Sequence, residues 1–244
     1  MWYNRLMDRD LVKILGYGVD SFTFDEAVEY AFSNPGQIVT INPEMISAAQ
    51  KNQDFADIIS SAELVVPDGI GVEAGLKILG HRVRRIPGIE LGKALIQRFT
   101  KAGKSIALVG AKPEVLEAAV NNLKSEIPEL NIVYSHDGYF NDDENIISQV
   151  IETSPDLVLV ALGSPKQEFF IHTLKKQLPN STMIGLGGSF DVWAGAVERA
   201  PEIYQKLGLE WLYRTVKEPK RFKRIFPTLP LFVLKVCKER ILSK

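Results

Sequence analysis

Six short runs of β-branched and aliphatic residues punctuate the chain, and a segment with helical spacing separates each from the next. They are Gln37–Ile41, Leu64–Val66, Ser105–Val109, Asn131–Tyr134, Leu157–Ala161 and Thr182–Leu186. Runs this short and this continuously apolar predict strands buried on both faces. The spacing between them predicts helices over Thr23–Phe32, Pro43–Asn52, Asp54–Ser61, Gly71–Leu79, Ile89–Lys101, Lys112–Ile127, Asp142–Thr153 and Pro165–Leu178, with tail helices from about Pro201. Strands alternating with helices of about 10 to 15 residues predict a doubly wound, mostly parallel α/β sheet with helices on both faces. The 244 residues, 45% of them hydrophobic, suffice for a full core without a covalent staple.

In such a sheet, ligands bind beyond the carboxyl ends of the strands. Five strand ends carry unusual residues: Asn42-Pro43-Glu44, Pro67-Asp68-Gly69-Ile70-Gly71, Gly110-Ala111-Lys112-Pro113, Leu162 to Glu168, and Gly187-Gly188-Ser189-Phe190-Asp191. Glycine lets the backbone approach a ligand closely, and a helix start offers free N–H groups to phosphate. Each loop alone is also what a tight βα turn requires. Five on one rim predict a sizeable anionic ligand such as a nucleotide diphosphate. Asp68 and Gln167 stand out because a turn does not need them. Asp68 is placed either to cap the following helix or to act as a base.

The tail differs in charge from the body. Residues 201–244 hold 11 Lys and Arg against 4 Asp and Glu, whereas residues 1–200 hold 18 against 26. A net charge of −1 therefore hides an acidic body and a basic end. The basic cluster Lys217, Lys220, Arg221, Lys223 and Arg224 is interleaved with Phe222, Ile225, Phe226, Leu229, Leu231 and Phe232. Cations among apolar side chains predict a peripheral contact with an anionic membrane surface. The run Ile225–Val236 is too short to span a bilayer and contains Pro227 and Pro230. The N-terminus lacks the pattern of a signal peptide, and Cys237 is the single cysteine. These features predict a cytoplasmic protein peripheral on the inner membrane face. Residues 1–195 are expected to form the catalytic domain and residues 196–244 a membrane-associating appendage.

The segments VTINPEM, VVPDGIGV, LVGAKPEV, HDGYF, ALGSPKQE, GLGGSFDVWAG, ERAPE and GLEWLYRTVKEPKRFKR occur in this order. Together they resemble the WecG/TagA/CpsF glycosyltransferases, from Gly16 to about Arg224. The resemblance implies a Rossmann-like core with a helical, basic C-terminal appendage. It implies inverting transfer of an N-acetylmannosamine-type sugar from UDP to undecaprenyl-diphosphate-linked N-acetylglucosamine, in teichoic acid, common antigen or capsule synthesis. On it, Asp68 matches a catalytic aspartate, Thr40 and Asn42 match pocket positions, and Arg85 matches an arginine near sugar and phosphate. Arg214, Arg221 and Arg224 match positions that grip the lipid diphosphate. Where family members usually carry Gly-x-Asp-Leu, this chain has Gly88-Ile89-Glu90-Leu91. Gln167 and Glu168 are placed to bind the nucleotide or donor sugar, and Gly110, Tyr139, Phe190 and Asp191 to contact uridine, although Tyr139 and Phe190 also suit a core.

Asp8-Arg9-Asp10 has the pattern of a metal-binding acid pair but precedes the first strand, and is expected to be a solvated terminus. His81, His136 and His172 have no ligand spacing. No metal, other cofactor or nucleic acid is expected, and the apolar tail could pack in a homo-oligomer off the membrane. Two rivals remain. Gly69-x-Gly71-x-x-x-Gly75, with Glu90 further on, approximates a dinucleotide fingerprint with one residue too many, which would suit an NAD-dependent oxidoreductase. A non-catalytic membrane adaptor would use the tail alone.

Overall fold

The computed structural model describes residues 9–206, 208–217 and 222–242, and for Lys206, Arg214 and residues 222–226 the backbone alone. The chain starts with β1 (Leu11–Ile14), β2 (Tyr17–Asp20), α1 (Phe24–Ser33), β3 (Gly36–Ile41), α2 (Pro43–Ala49), α3 (Gln53–Ser60) and β4 (Leu64–Pro67). It continues through α4 (Gly69–Leu79), α5 (Gly88–Lys101), β5 (Ser105–Gly110), α6 (Pro113–Glu126), β6 (Asn131–His136), α7 (Asp143–Thr153) and β7 (Leu157–Ala161). Then come α8 (Lys166–Lys175), β8 (Thr182–Gly185), α9 (Ser189–Trp193), α10 (Glu202–Lys206), α11 (Glu210–Lys217) and α12 (Phe222–Leu242).

All six expected strands form one parallel sheet in the order β4-β3-β8-β7-β5-β6. Strands β3, β4, β7 and β8 are buried along their whole length, which is why they read as unbroken apolar runs. The side chains alternate between two cores. Ile38, Leu64, Leu157 and Leu159 face a layer that includes Leu95, Phe99 and Leu116. Val39 and Val65 face Ile46, Phe55 and Leu76 on the other side, and Val158 and Val160 face Ile171 and Leu174. This places helices on both faces of a Rossmann-like sheet. Strand β6, at the edge, alternates exposed and half-buried residues.

The hairpin β1–β2 was not expected. Its four-residue strands turn through Leu15 and Gly16, both at positive φ. It is pinned by Asp20, which is fully buried and accepts from Arg9 Nε at 2.7 Å, Arg9 Nη2 at 2.9 Å and Val65 N at 2.8 Å. Arg9 is therefore not part of a solvated terminus. A buried carboxylate requires a cation with paired donors, and Arg9 supplies it.

Helix α12 runs without interruption through Pro227 and Pro230. Each proline removes one main-chain donor. Phe232 and Val236 nevertheless bury themselves beside Ile14, Val72 and Leu76, and that burial holds the helix to the body. The approach is close because α4 carries glycines on this side. A Cβ on Gly75 would lie 2.7 Å from Ile14 Cδ1 and 3.2 Å from the Phe232 ring, and one on Gly71 would lie 2.6 Å from Pro43 Cγ. Those two glycines of the would-be dinucleotide fingerprint thus serve helix packing. Among the described residues, no helix is long and apolar enough to cross a membrane.

Candidate active site

A cleft of about 810 Å³ opens over the carboxyl ends of β4, β3, β8 and β7. Five of the expected residues line it together: Thr40, Asn42, Asp68, Arg85 and Gln167. Each is held by a local feature of the chain.

Thr40, at the end of β3, is almost fully buried. Its methyl and hydroxyl lie 3.2 and 3.3 Å from where a Cβ on Gly88 would sit, so glycine at the start of α5 gives Thr40 its room. Asn42 is the N-cap of α2, and its Oδ1 accepts from Met45 N at 3.0 Å. Capping fixes the carboxamide and leaves its NH₂ group for the cleft. Asp68 occupies the N-cap position of α4 with extended backbone, yet its carboxylate makes no capping bond. Of the two uses open to it, capping is therefore not the one adopted. Arg85 donates to the Gln205 carbonyl, and its own N–H is accepted by Glu73 Oε2 at 3.0 Å. It thereby ties the cleft floor to the segment around α10.

Gln167 spans two loops. Its Oε1 accepts from Gly187 N at 3.0 Å, and its Nε2 donates to Glu168 Oε1 at 2.7 Å. Glu168 does not line the cleft. It is 3% exposed, behind Gln167, and burial raises its pKa above the ordinary carboxylate range. The Gln167 amide and the Ser164 hydroxyl offset only part of that rise.

The expected uridine contacts are not gathered in the cleft. Phe190 is fully buried and stacks on Trp193, so its ring presents no face to a ligand. The apolar stretch around it commits it to the core, as the sequence also allowed. Tyr139 lies 70% exposed in the loop after β6. Gly110 closes β5, where a Cβ would lie 2.4 Å from Ala161 O. Asp191 sits in the first turn of α9. These residues share the carboxyl rim of the sheet but not the cleft lining. Arg221 lies outside the described residues, as do the side chains of Arg214 and Arg224. Glu90 pairs with Arg199 at 2.5 Å, which ties α5 to the ERAPE segment.

Sequence reasoning brought the tail to the site through its arginines but missed the residues that form the far wall. Gly208, Glu210, Trp211 and Thr228, from the C-terminal segment, line the same cleft, as do Glu44 and Lys51. Gly208 has φ of +71°, and a Cβ there would lie 2.8 Å from Ile70, so this segment sits directly on the first turn of α4, which follows Asp68. The glycine in KLGLEW was the available signal. Among the described residues, no three His, Cys, Asp or Glu side chains group as a metal site.

A parallel sheet with a polar cleft at its carboxyl edge, walled by an aspartate, an arginine and two carboxamides, defines an α/β enzyme that handles a polar, oxygen-rich ligand. The sequence profile of the Glycosyl transferase WecG/TagA/CpsF family matches residues 12–244. The chain belongs to this family and is a glycosyltransferase. It is 42% identical over 203 residues to an N-acetylglucosaminyldiphosphoundecaprenol N-acetyl-beta-D-mannosaminyltransferase of Bacillus subtilis (strain 168), covering 83% of this chain and 79% of that protein. Proteins of the same name from Bacillus spizizenii (strain ATCC 23059 / NRRL B-14472 / W23) and Staphylococcus aureus (strain MW2) are 37% and 36% identical. Those matches cover 92% and 94% of this chain and 88% and 93% of the relatives.

Proposed function

We propose that the enzyme transfers an N-acetylmannosamine-type residue from a UDP donor to undecaprenyl-diphosphate-linked N-acetylglucosamine. The observation that carries this reading is Asp68, which faces the same cleft as Thr40, Asn42 and Gln167 without capping α4. The acceptor oxygen bonds to the anomeric carbon of the donor, and its proton passes to the Asp68 carboxylate. The bond from that carbon to UDP breaks, and the electron pair leaves on the diphosphate. Direct displacement inverts the anomeric centre. The start of α5, where Gly88 and Ile89 line the cleft and no side chain caps the helix, offers N–H groups to the leaving charge. Arg85 adds a cation, and Arg214, Arg221 and Arg224 belong to the acceptor's diphosphate in this reading. Gly110, Tyr139 and Asp191, on the adjoining rim, are left to the uridine end of the donor. No metal takes part.

In the same reading the C-terminal segment works at the cytoplasmic face of an anionic membrane. Leu231, Leu234, Ile241 and Leu242 expose apolar side chains on α12, opposite the face that Phe232 and Val236 bury. These exposed residues would meet lipid, or a second copy of the chain away from lipid. The test is a turnover screen of UDP-sugars against a short-chain polyprenyl-diphosphate N-acetylglucosamine acceptor, with and without EDTA. Turnover with UDP-N-acetylmannosamine that survives EDTA is expected. Activity on NAD-linked substrates without any sugar transfer would overturn the reading, and EDTA-sensitive transfer restored by Mg²⁺ would overturn its metal-free part.

A further inference from the structure

Behind the cleft wall lies a buried polar cluster that the transfer chemistry does not use directly. Gln167 is gripped at both ends of its carboxamide, by Gly187 N and by Glu168 Oε1. The grip is close. A Cβ on Gly185 would lie 2.5 Å from Gln167 Nε2, so the amide rests on bare backbone at the end of β8. Glu168 is itself held, because Gln37 Nε2 donates to its main-chain carbonyl at 3.1 Å.

The cluster has a surplus of acceptors. Glu168 Oε2 and Gln37 Oε1 are both buried without a hydrogen-bond partner. Among the described residues, no Lys, Arg or His forms an ion pair with Glu168. A carboxylate in that position keeps its desolvation cost with no cation to offset it. A proton on the carboxyl removes the charge and adds a donor beyond those that Gln167 and Ser164 supply. An acid kept neutral still accepts from Gln167 Nε2 through its carbonyl oxygen.

We propose that Glu168 is a positioning residue for the donor substrate: as a neutral acid behind the wall, it fixes the Gln167 carboxamide so that one Gln167 N–H remains directed to the cleft. The inference rests on the reading of the cleft as a UDP-sugar site. It differs from a direct ligand contact by Glu168, since that side chain does not line the cleft. An amide tied at both its oxygen and its nitrogen meets the donor already oriented, with its rotamer freedom lost in advance.

The experiment compares wild type, Glu168→Gln and Glu168→Met by melting temperature, UDP calorimetry and steady-state transfer. Gln keeps an uncharged acceptor for Gln167, whereas Met fills the volume and provides none. Expected is a donor KM raised about tenfold by Met, the scale of one lost buried hydrogen bond, with kcat moved less, and rescue by Gln to within about threefold of wild type. In a Gln167→Ala background, Glu168→Met adds no further rise in donor KM, because Glu168 acts through Gln167. Three results would overturn the proposal: Gln as impaired as Met, donor KM unmoved by Met, or full additivity with Gln167→Ala. If Met does not fold, the Gln variant still decides, since an essential carboxylate charge fails there. Wild type that binds no UDP counts against the cleft reading instead. The positioning claim is then judged from hydrogen exchange of the Gly187 amide, expected to quicken in Met and to stay slow in Gln, with equal rates in both contradicting it.

Discussion

At the scale of single residues, Asn42 shows how one side chain can serve fold and site together. Its oxygen caps α2, and the residue lines the cleft, where its nitrogen is left to serve the substrate. Asn42→Asp preserves the cap, because the two residues cap about equally well, but removes the donor. The melting temperature should stay within about 2 °C of wild type, less than the shift from 1 kcal/mol in a chain this long. Transfer should fall about tenfold, the worth of one hydrogen bond. Paired measurement of melting and turnover checks it, and a drop in both would mean that capping alone was lost. Asn42, Asp68 and Gln167 were legible because strand ends beside glycine- and proline-rich turns are where this topology gathers ligands, whereas Thr40 and Arg85 were singled out by the family resemblance. Glu168 was legible as chemistry but not as depth, since helical spacing alone does not say which first-turn residue turns inward. Phe190 was ambiguous from the start, and core packing took it.

At the scale of elements, all six parallel strands were legible, most clearly β3, β4, β7 and β8, because a strand buried on both faces has no polar face to blur it. The hairpin was not, since LVKI and YGVD are short and one carries a glycine. The tail helices were legible, but not the burial of Phe232 and Val236 that holds α12 to the body despite its two prolines. One junction carries a pH signature. Asp156, just before β7, accepts from Lys104 Nζ at 2.8 Å and from Ser105 N and Oγ at 2.8 and 2.9 Å, joining this turn to the start of β5. Burial pulls its pKa up, but Lys104 and Ser105 together pull it further down, to below the ordinary aspartate value. A lowered folded-state pKa stabilises the protein above the unfolded value, and that contribution is lost as the pH falls through the folded one. Asp156→Asn should therefore cost about 1–2 kcal/mol near pH 7, or about 2–4 °C of melting temperature per kcal/mol. Thermal melts across pH should show the gap to wild type closing below about pH 4. A gap that is constant with pH would contradict the ionic account.

At the scale of the whole molecule, the basic end and the acidic body meet across one cleft. Arg85 holds the Gln205 carbonyl, Arg199 holds Glu90, and Gly208 rests on Ile70. Charge asymmetry made the tail's membrane role legible as an expectation, and the resemblance brought its arginines to the substrate, but not that Gly208, Glu210, Trp211 and Thr228 wall the cleft, because such contacts are made across long sequence distances. Flotation with liposomes should show binding to anionic vesicles that weakens with salt, and loss of binding on removal of residues 196–244. Equal binding to neutral vesicles would contradict the electrostatic part. The central claim is that Asp68 takes the acceptor proton. The measurement that tests it most directly is single-turnover sugar transfer by Asp68→Asn beside UDP calorimetry on the same preparation. The account predicts transfer reduced about 10²-fold or more, with UDP affinity retained. Transfer within a few-fold of wild type would contradict it.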